Sequence, residues 1–241
     1  MLGSLLQWPD FSVRAQQPEW MDTELVSQAD FTRCLDDLAV VNRLTRAAPP
    51  TLAFLARLTA GWPAGSVLRL ADIGYGRGDM LRRVHRWAVA RGFRPELTGV
   101  DLNPRSRVAA AAITPAGMGI GWHEGDLFDW QPEARPHVVI SALFAHHLDD
   151  AGVRAFLRWM EATATDGWFV NDLHRHCFAW GGFRLLSTLA GWHRFVRHDG
   201  PLSVRRAFVA DEWRAMLADA GLTADVRWHL PFRLCVGRVK R

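Results

Sequence analysis

Residues 67–79, VLRLADIGYGRGD, constrain this chain more than any other stretch. Val67 to Ile73 is short, apolar and followed by turn-forming glycines, which is the pattern of a buried strand. Gly74, Gly76 and Gly78 then let the backbone turn sharply and approach a ligand with no Cβ in the way. From Asp79 onward Met80, Leu81, Val84, Trp87 and Ala88 share one helical face. A strand, a glycine loop and a helix N-terminus make a cradle for a nucleoside-bearing cofactor.

The spacing narrows the choice of cofactor. A dinucleotide site reads G-x-G-x-x-G and a phosphate loop ends in G-K-[ST]. Here Asp79 stands where the third dinucleotide glycine belongs, and no Lys-Ser/Thr pair follows. A glycine-rich turn in some other α/β domain is the plain alternative. Downstream, Leu97-Thr98-Gly99-Val100-Asp101 is an apolar strand ending in an acid, the second half of a nucleotide-binding βαβ unit. Such a carboxylate can accept both ribose hydroxyls, although an acid that merely ends a strand is common. Asn103-Pro104 starts the next helix at its N-cap.

Alternation of strands and helices continues. Gly119 to His123 reads as a short strand before the turn Glu124-Gly125-Asp126-Leu127, and His137 to Ser141 as a buried strand. Val153, Phe156, Leu157 and Met160 keep the helical i, i+3, i+4, i+7 spacing, and Gly167 to Leu173 is the next strand. Trp213, Met216, Leu217 and Ala220 mark a helix that Gly221 stops, and residues 224–239 around Pro231 read as an antiparallel hairpin.

Two segments stand outside this alternation. Residues 1–20 read as irregular, and helical patterning begins at Met21, with Leu35, Leu38, Ala39 and Asn42 on one face. An amide on an apolar stripe must be hydrogen-bonded or face a ligand, and Arg43 sits beside it. Pro49-Pro50 is expected to end this helix and Thr51 to begin another. Residues 1–62 therefore read as a helical cap and 63–241 as the core. Within the core, residues 174–209 are too long for a plain connection and form an insert.

Composition sets the setting. The chain has 241 residues, 49% hydrophobic and 22% charged, as a folded domain requires. A net charge of +4 spread among interspersed acids and bases does not imply nucleic acid. Cys34, Cys177 and Cys235 form neither a zinc pattern nor a disulfide framework. No apolar stretch approaches the ~18–20 residues needed to cross a bilayer. A soluble, cytoplasmic protein is expected, with homodimerisation left open.

Asp72 with Gly74, Gly76 and Gly78, then Asp101, Asp126, the segment AHHLDD at 145–150 and the closing hairpin together resemble the class I S-adenosylmethionine (SAM) methyltransferases. The resemblance covers residues 65–241. It implies an α/β Rossmann-like, seven-stranded, mostly parallel sheet of order 3-2-1-4-5-7-6, with its last strand antiparallel. The chain is most similar to the bacterial small-molecule branch that includes the ubiquinone-biosynthesis type. Its NDLHRH and RHDGPLSVRRAF stretches resemble enzymes of polyketide and other secondary metabolism.

By position, the resemblance implies that the Gly74–Gly78 loop, after Asp72, lies against the amino-acid part of SAM. Asp101 would hold the ribose, Leu102 would pack on the adenine, and Asp126 with Leu127 would flank the base. Ser141, ending the fourth strand, joins the cofactor-binding set. Asn42 and Arg43 are candidates for the methionine carboxylate, which needs a donor or a cation, although a structural salt bridge explains Arg43 as well. No metal is expected.

Methyl transfer from an activated sulfonium asks mainly for an in-line acceptor and exclusion of water. A hydroxyl acceptor also benefits from a base that titrates near the operating pH, which favours histidine. His146, His147, His174 and His176 all lie beyond strand C-termini, and His146 and His174 are the candidate bases. Trp180, Phe183, Trp192 and Phe195 either line an apolar acceptor pocket or bury the insert against the core. The expected activity is methyl transfer from SAM to a small aromatic or polyketide-like acceptor at oxygen. N- or C-methylation and a non-catalytic SAM-binding scaffold are the alternatives. A base-methylating enzyme is disfavoured because Ser141-Ala142-Leu143-Phe144 stands where [D/N]-P-P-[Y/F] belongs. A nicotinamide dehydrogenase is disfavoured by the missing third glycine.

Overall fold

The computed structural model describes residues 9–24 and 26–240, apart from the side chain of Asp22. Most of the expected cap is therefore visible, while residues 1–8 of the expected irregular stretch lie outside the described residues. The described elements are helices α1 (Trp20–Thr23), α2 (Gln28–Leu44) and α3 (Ala48–Leu58), then strand β1 (Val67–Ile73), α4 (Asp79–Ala90), β2 (Arg94–Asp101), α5 (Pro104–Ala111) and β3 (Gly121–Glu124). They continue with β4 (Val138–Ala142), α6 (Asp150–Thr163), β5 (Gly167–Leu173), α7 (Cys177–Leu189), α8 (Arg194–Arg206), α9 (Ala210–Asp219), β6 (Asp225–His229) and β7 (Arg233–Val239). Short 3₁₀ turns occupy Ala116–Met118 and Ala145–His147.

The strands form one sheet of order β3-β2-β1-β4-β5-β7-β6, with β7 antiparallel to both neighbours and the other described pairings parallel. This is the topology that the sequence implies. Alternate side chains explain its two layers. Leu68, Leu70, Val138, Ile140 and Phe169 meet α3 and α4 through Phe54, Leu55, Leu81, Val84 and Trp87. Ala71, Ile73, Val139, Trp168 and Val170 point the other way, into Val153, Phe156, Leu157 and Met160 of α6 and Trp213, Met216 and Leu217 of α9.

The N-terminal helices differ from expectation in detail. Helicity starts with the single turn of α1, and α2 begins afresh where Ser27 accepts the Asp30 N–H at 3.1 Å. Pro49 and Pro50 lie inside the first turn of α3, where a missing N–H leaves no intrahelical bond unmade. Strand β3 starts at Gly121, because Gly119 closes the preceding 3₁₀ turn in a left-handed conformation. Helix α3 packs on the sheet, whereas α1 and α2 pack against α8 of the 174–209 segment. That segment is helical, with α7 and α8 lying against one another. Trp192 and Phe195 fill the contact between α2 and α8 with Cys34 and Val41.

A buried polar link fixes α3 to the sheet. Asn171, in the middle of the sheet, donates to the Ala47 carbonyl at 2.7 Å and the Thr51 hydroxyl at 3.1 Å, and accepts from the Arg233 guanidinium at 3.2 Å. Among the described residues no helix is long and apolar enough to cross a membrane. Replacing Asn171 with Ala leaves a buried carbonyl and part of a buried guanidinium without this partner, a loss of about 3 kcal/mol. Urea unfolding should show this as a lower midpoint at unchanged slope.

Candidate functional site

The glycine loop leaves β1 at the sheet's C-terminal edge, as the sequence requires. Gly76 has φ +52° and Gly78 has φ +73°, conformations that a side chain rarely adopts. At Gly78 a Cβ would also fall 2.4 Å from the Trp122 ring, so this glycine is needed twice over. Helix α2 covers the loop from above. Leu35 reaches Gly76, the Asp36 carboxylate pairs with Arg77, and Asn42 lies two helical turns further along the Leu35 face. The Asn42 amide oxygen is buried with no hydrogen-bond partner among the described residues, while Arg43 is exposed.

Asp101 joins the loop to β2. One carboxylate oxygen accepts the Gly76 N–H at 2.9 Å and the other the Asn103 N–H at 2.9 Å. Burial pushes its carboxyl above the ordinary aspartate value, against the opposing pull of these N–H groups and the Ser106 hydroxyl. Asp72 is more deeply buried, and burial together with the Asp101 charge holds its carboxyl well above the usual range. Asp101 pairs with Glu124 across β2 and β3, so Leu102 and Asp126 lie just past the same edge. Leu102 is exposed, and Asp126 is exposed and caps the Phe128 N–H at 2.9 Å. Leu127 is buried in the core beneath, and the Ser141 hydroxyl donates to the Ile73 carbonyl at 3.1 Å. Asp101 thus offers acceptor oxygens beside a backbone that approaches closely, while Asn42 holds a buried amide oxygen, unpartnered among the described residues, further along the helix that covers the loop. This donor and acceptor set fits a ribose and an amino-acid tail.

The other half of the site is built around the turn after β4. His146 is almost fully buried; its Nδ1 lies 2.7 Å from one Asp172 oxygen, and its backbone N–H donates to the other at 3.0 Å. Burial alone would raise Asp172, but the His146 contacts and the Leu173 N–H hold its carboxyl below the ordinary value. The carboxylate of Glu19 faces the same turn, 3.6 Å from His146 Nε2 and 3.8 Å from His147 Nε2. Glu19 is held there because Asp199 accepts the N–H groups of Trp20 and Met21, at 2.9 and 3.0 Å, while Trp20 stacks on His198. Arg206 donates to the carbonyls of His146 and His147, and Arg14 to that of Leu148. Glu19, His146 and His147 bring three metal-ligating atoms within 4.8 Å of one another. The His146 turn follows β4, whose end lies beside that of β1, so this cluster and the glycine loop share the C-terminal edge of the sheet.

His174 has a different setting. Its backbone N–H donates to the Phe232 carbonyl at 2.9 Å, its ring lies 5.6 Å from that of His176, and its Nδ1 is buried without a partner among the described residues. Burial, then His176 and Arg175, lowers its pKa below the ordinary value. Glu19 and Asp172 are the residues that sequence reasoning missed. Asp172 stood in a segment already singled out, but Glu19 carries no local signal: only the folded chain brings it to His146.

No family model matches the sequence, and no curated protein matches it. Solved structures do. A SAM-dependent methyltransferase from Aquifex aeolicus aligns over 88% of this chain and 98% of its own, with 16% identity and a TM-score of 0.59. Magnesium protoporphyrin IX methyltransferase from Synechocystis PCC 6803, with bound S-adenosylhomocysteine (SAH), aligns over 82% of this chain and 83% of its own, with 13% identity and a TM-score of 0.53. The plantazolicin methyltransferase BpumL, in complex with a monoazolic desmethylPZN analog and SAH, aligns over 83% of this chain and 80% of its own, with 12% identity and a TM-score of 0.59. At such identities the likeness is one of architecture. In strand order, in the reversed β7 and in the glycine loop after β1, this chain has the fold of the class I SAM-dependent methyltransferases.

Proposed function

We propose that the chain is a SAM-dependent methyltransferase acting on a small, aromatic or polyketide-like acceptor at a hydroxyl oxygen. The observation that carries this reading is the Asp101 carboxylate holding the Gly76 amide at the edge where β1 and β2 end. Neighbours named for magnesium protoporphyrin IX and plantazolicin support a small-molecule acceptor.

SAM supplies an activated methyl group on a sulfonium. The chain's own residues bind, orient and exclude water. Asp101 accepts ribose hydroxyls, with Leu102 and Asp126 at the adenine side. Asn42 and the glycine loop hold the amino-acid end, and Arg43 remains a candidate for its carboxylate. Asp72 stays behind the loop as a buried acid. The acceptor's hydroxyl is activated at the Glu19–His146–His147 cluster, with His146 rather than His174 at its centre, because Asp172 fixes the His146 ring and leaves Nε2 facing the cluster. Helices α1, α2, α7 and α8 close over this edge as the covering part. Trp180, edge-on to Phe11 at 6.1 Å, offers the acceptor an apolar surface, while Trp192 and Phe195 belong to the helix packing.

A second reading, a SAM-binding subunit that scaffolds a partner, draws on one observation. Phe178, Leu185, Leu186 and Leu189 form an exposed apolar stripe on α7. Stable self-association or a partner that masks this stripe, with no methyl transfer to any phenol, would favour it.

Titration calorimetry with SAH tests the main reading. Wild-type chain should bind at micromolar concentration, and Asp101→Ala should weaken binding ~10-fold or more, the loss of a charged hydrogen bond. Absence of binding to wild type contradicts the assignment. The pH dependence follows from the sign of the Asp101 shift. Only the carboxylate accepts from both hydroxyls, and its pKa is raised, so SAH affinity should fall on acidification through a window that begins at higher pH than an exposed aspartate would allow. In Asp101→Asn the profile over that window should flatten; an identical slope in this variant means that another group governs binding.

A further inference from the structure

We propose that Glu19, His146 and His147 form a binding site for one first-row divalent metal ion. Two imidazoles and one carboxylate are the donor set that zinc, iron(II) and manganese accept, and three protein ligands leave positions open for water or substrate. The ligating atoms already converge. Glu19 Oε1 is 3.6 Å from His146 Nε2, Glu19 Oε2 is 3.8 Å from His147 Nε2, and all three ligand atoms lie within 4.8 Å of one another. Metal–ligand bonds of about 2.0–2.2 Å require neighbouring ligands about 3–3.5 Å apart, so the set closes on an ion by side-chain shifts of about 1 Å or less.

A second feature distinguishes this cluster from an ordinary buried ion pair. Asp172 takes the His146 Nδ1–H at 2.7 Å and the backbone N–H of the same residue at 3.0 Å. That bond fixes the tautomer and leaves the Nε2 lone pair directed at Glu19 and His147. A carboxylate behind a ligating histidine is the support that metal-binding histidines regularly carry. The described neighbours of Glu19 leave one of its carboxylate oxygens available. The Ser203 hydroxyl donates to Glu19 Oε1 at 2.7 Å, which orients the carboxylate and leaves Oε2 for the ion. Arg14 and Arg206 direct their described donors to main-chain carbonyls and to Asp150. Burial is graded, with side-chain exposures of 6% for Glu19, 3% for His146 and 27% for His147, so the site is closed on the protein side and reached past His147.

The role of the ion, unlike the site itself, rests on the methyltransferase reading. Bound at the same sheet edge as Asp101, it would hold the acceptor's hydroxyl oxygen as a Lewis acid, so that the O–H bond breaks with its proton passing to water and its electron pair staying on oxygen.

Calorimetry and absorption with Zn²⁺ and Co²⁺ test the proposal on the full chain after chelation and desalting. One equivalent should bind, the Co²⁺ spectrum should show nitrogen and oxygen ligation without thiolate charge transfer, and both His147→Ala and Glu19→Gln should weaken binding ~10-fold or more. Asp172→Asn should weaken it by ~10- to 100-fold through loss of the support behind His146. No stoichiometric binding overturns the proposal, as does binding that neither His147→Ala nor Glu19→Gln weakens. His147 is part-exposed and Glu19→Gln keeps a partner for Ser203, so these two variants read the site without dismantling the fold. SAH titrated onto the same preparations separates the two ideas. Intact SAH binding without metal binding overturns this proposal alone, and metal binding in a chain that fails to bind SAH supports the site while overturning the methyltransferase reading.

Discussion

The contact between Asp172 and His146 is the one on which the site's geometry turns. A carboxylate buried at the end of a central strand is tolerated only if its lone pairs are satisfied, because desolvating an ion is costly. Asp172 meets that demand with the ring and backbone of His146 and the N–H of Leu173. The turn after β4 is thereby anchored to β5. Its carbonyls are then in place for Arg206 and Arg14, which reach the turn from α8 and from the segment before α1. Glu19 completes the set, held by Asp199 at the start of α1. Four segments of the chain are thus joined through buried polar links rather than through apolar packing alone.

The sheet supplies the frame for these links. Parallel strands that present apolar residues on both faces must be covered by helices on both faces, and their C-terminal ends are left for loops. The glycine loop, Asp101 and the His146 turn accordingly share one edge. Helix α2 reinforces that edge through Leu35 against Gly76 and the Asp36–Arg77 pair. The His146 turn and the glycine loop are therefore neighbours by topology, and their own side chains set only the fine geometry.

What could be read in the sequence follows from the same physics. The alternation of Leu68 and Leu70 with Ala71 and Ile73, or of Val153, Phe156, Leu157 and Met160 along α6, is a local signal, so the core strands and helices and their order were legible. Gly74, Gly76, Gly78 and Asp101 were legible because a tight loop beside a strand-ending acid leaves a local trace. The N-terminal helices were less so: Pro49 and Pro50 resemble a break, yet proline fits the first helical turn equally well. Ser141 and Leu127 lie at the expected places but turn a hydroxyl to the Ile73 carbonyl and a side chain to the core. Nothing local marks Glu19 as a partner of His146, because that contact exists only once α1, α8 and the turn after β4 have come together. Trp192 and Phe195 carried two readings in sequence, and helix packing is the one that their burial describes.

The central claim is that a nucleoside cofactor binds at the edge shared by β1, β2 and β4. Hydrogen–deuterium exchange measured with and without SAH tests it most directly, since it reports where the ligand rests without requiring an acceptor. Slowed exchange confined to residues 74–79, 101–103 and 125–128, with the overlying part of α2, is the predicted result. Unchanged exchange there contradicts it, and so does protection centred on the separate hollow lined by Arg69, Pro95, Thr98, Met118 and Pro136.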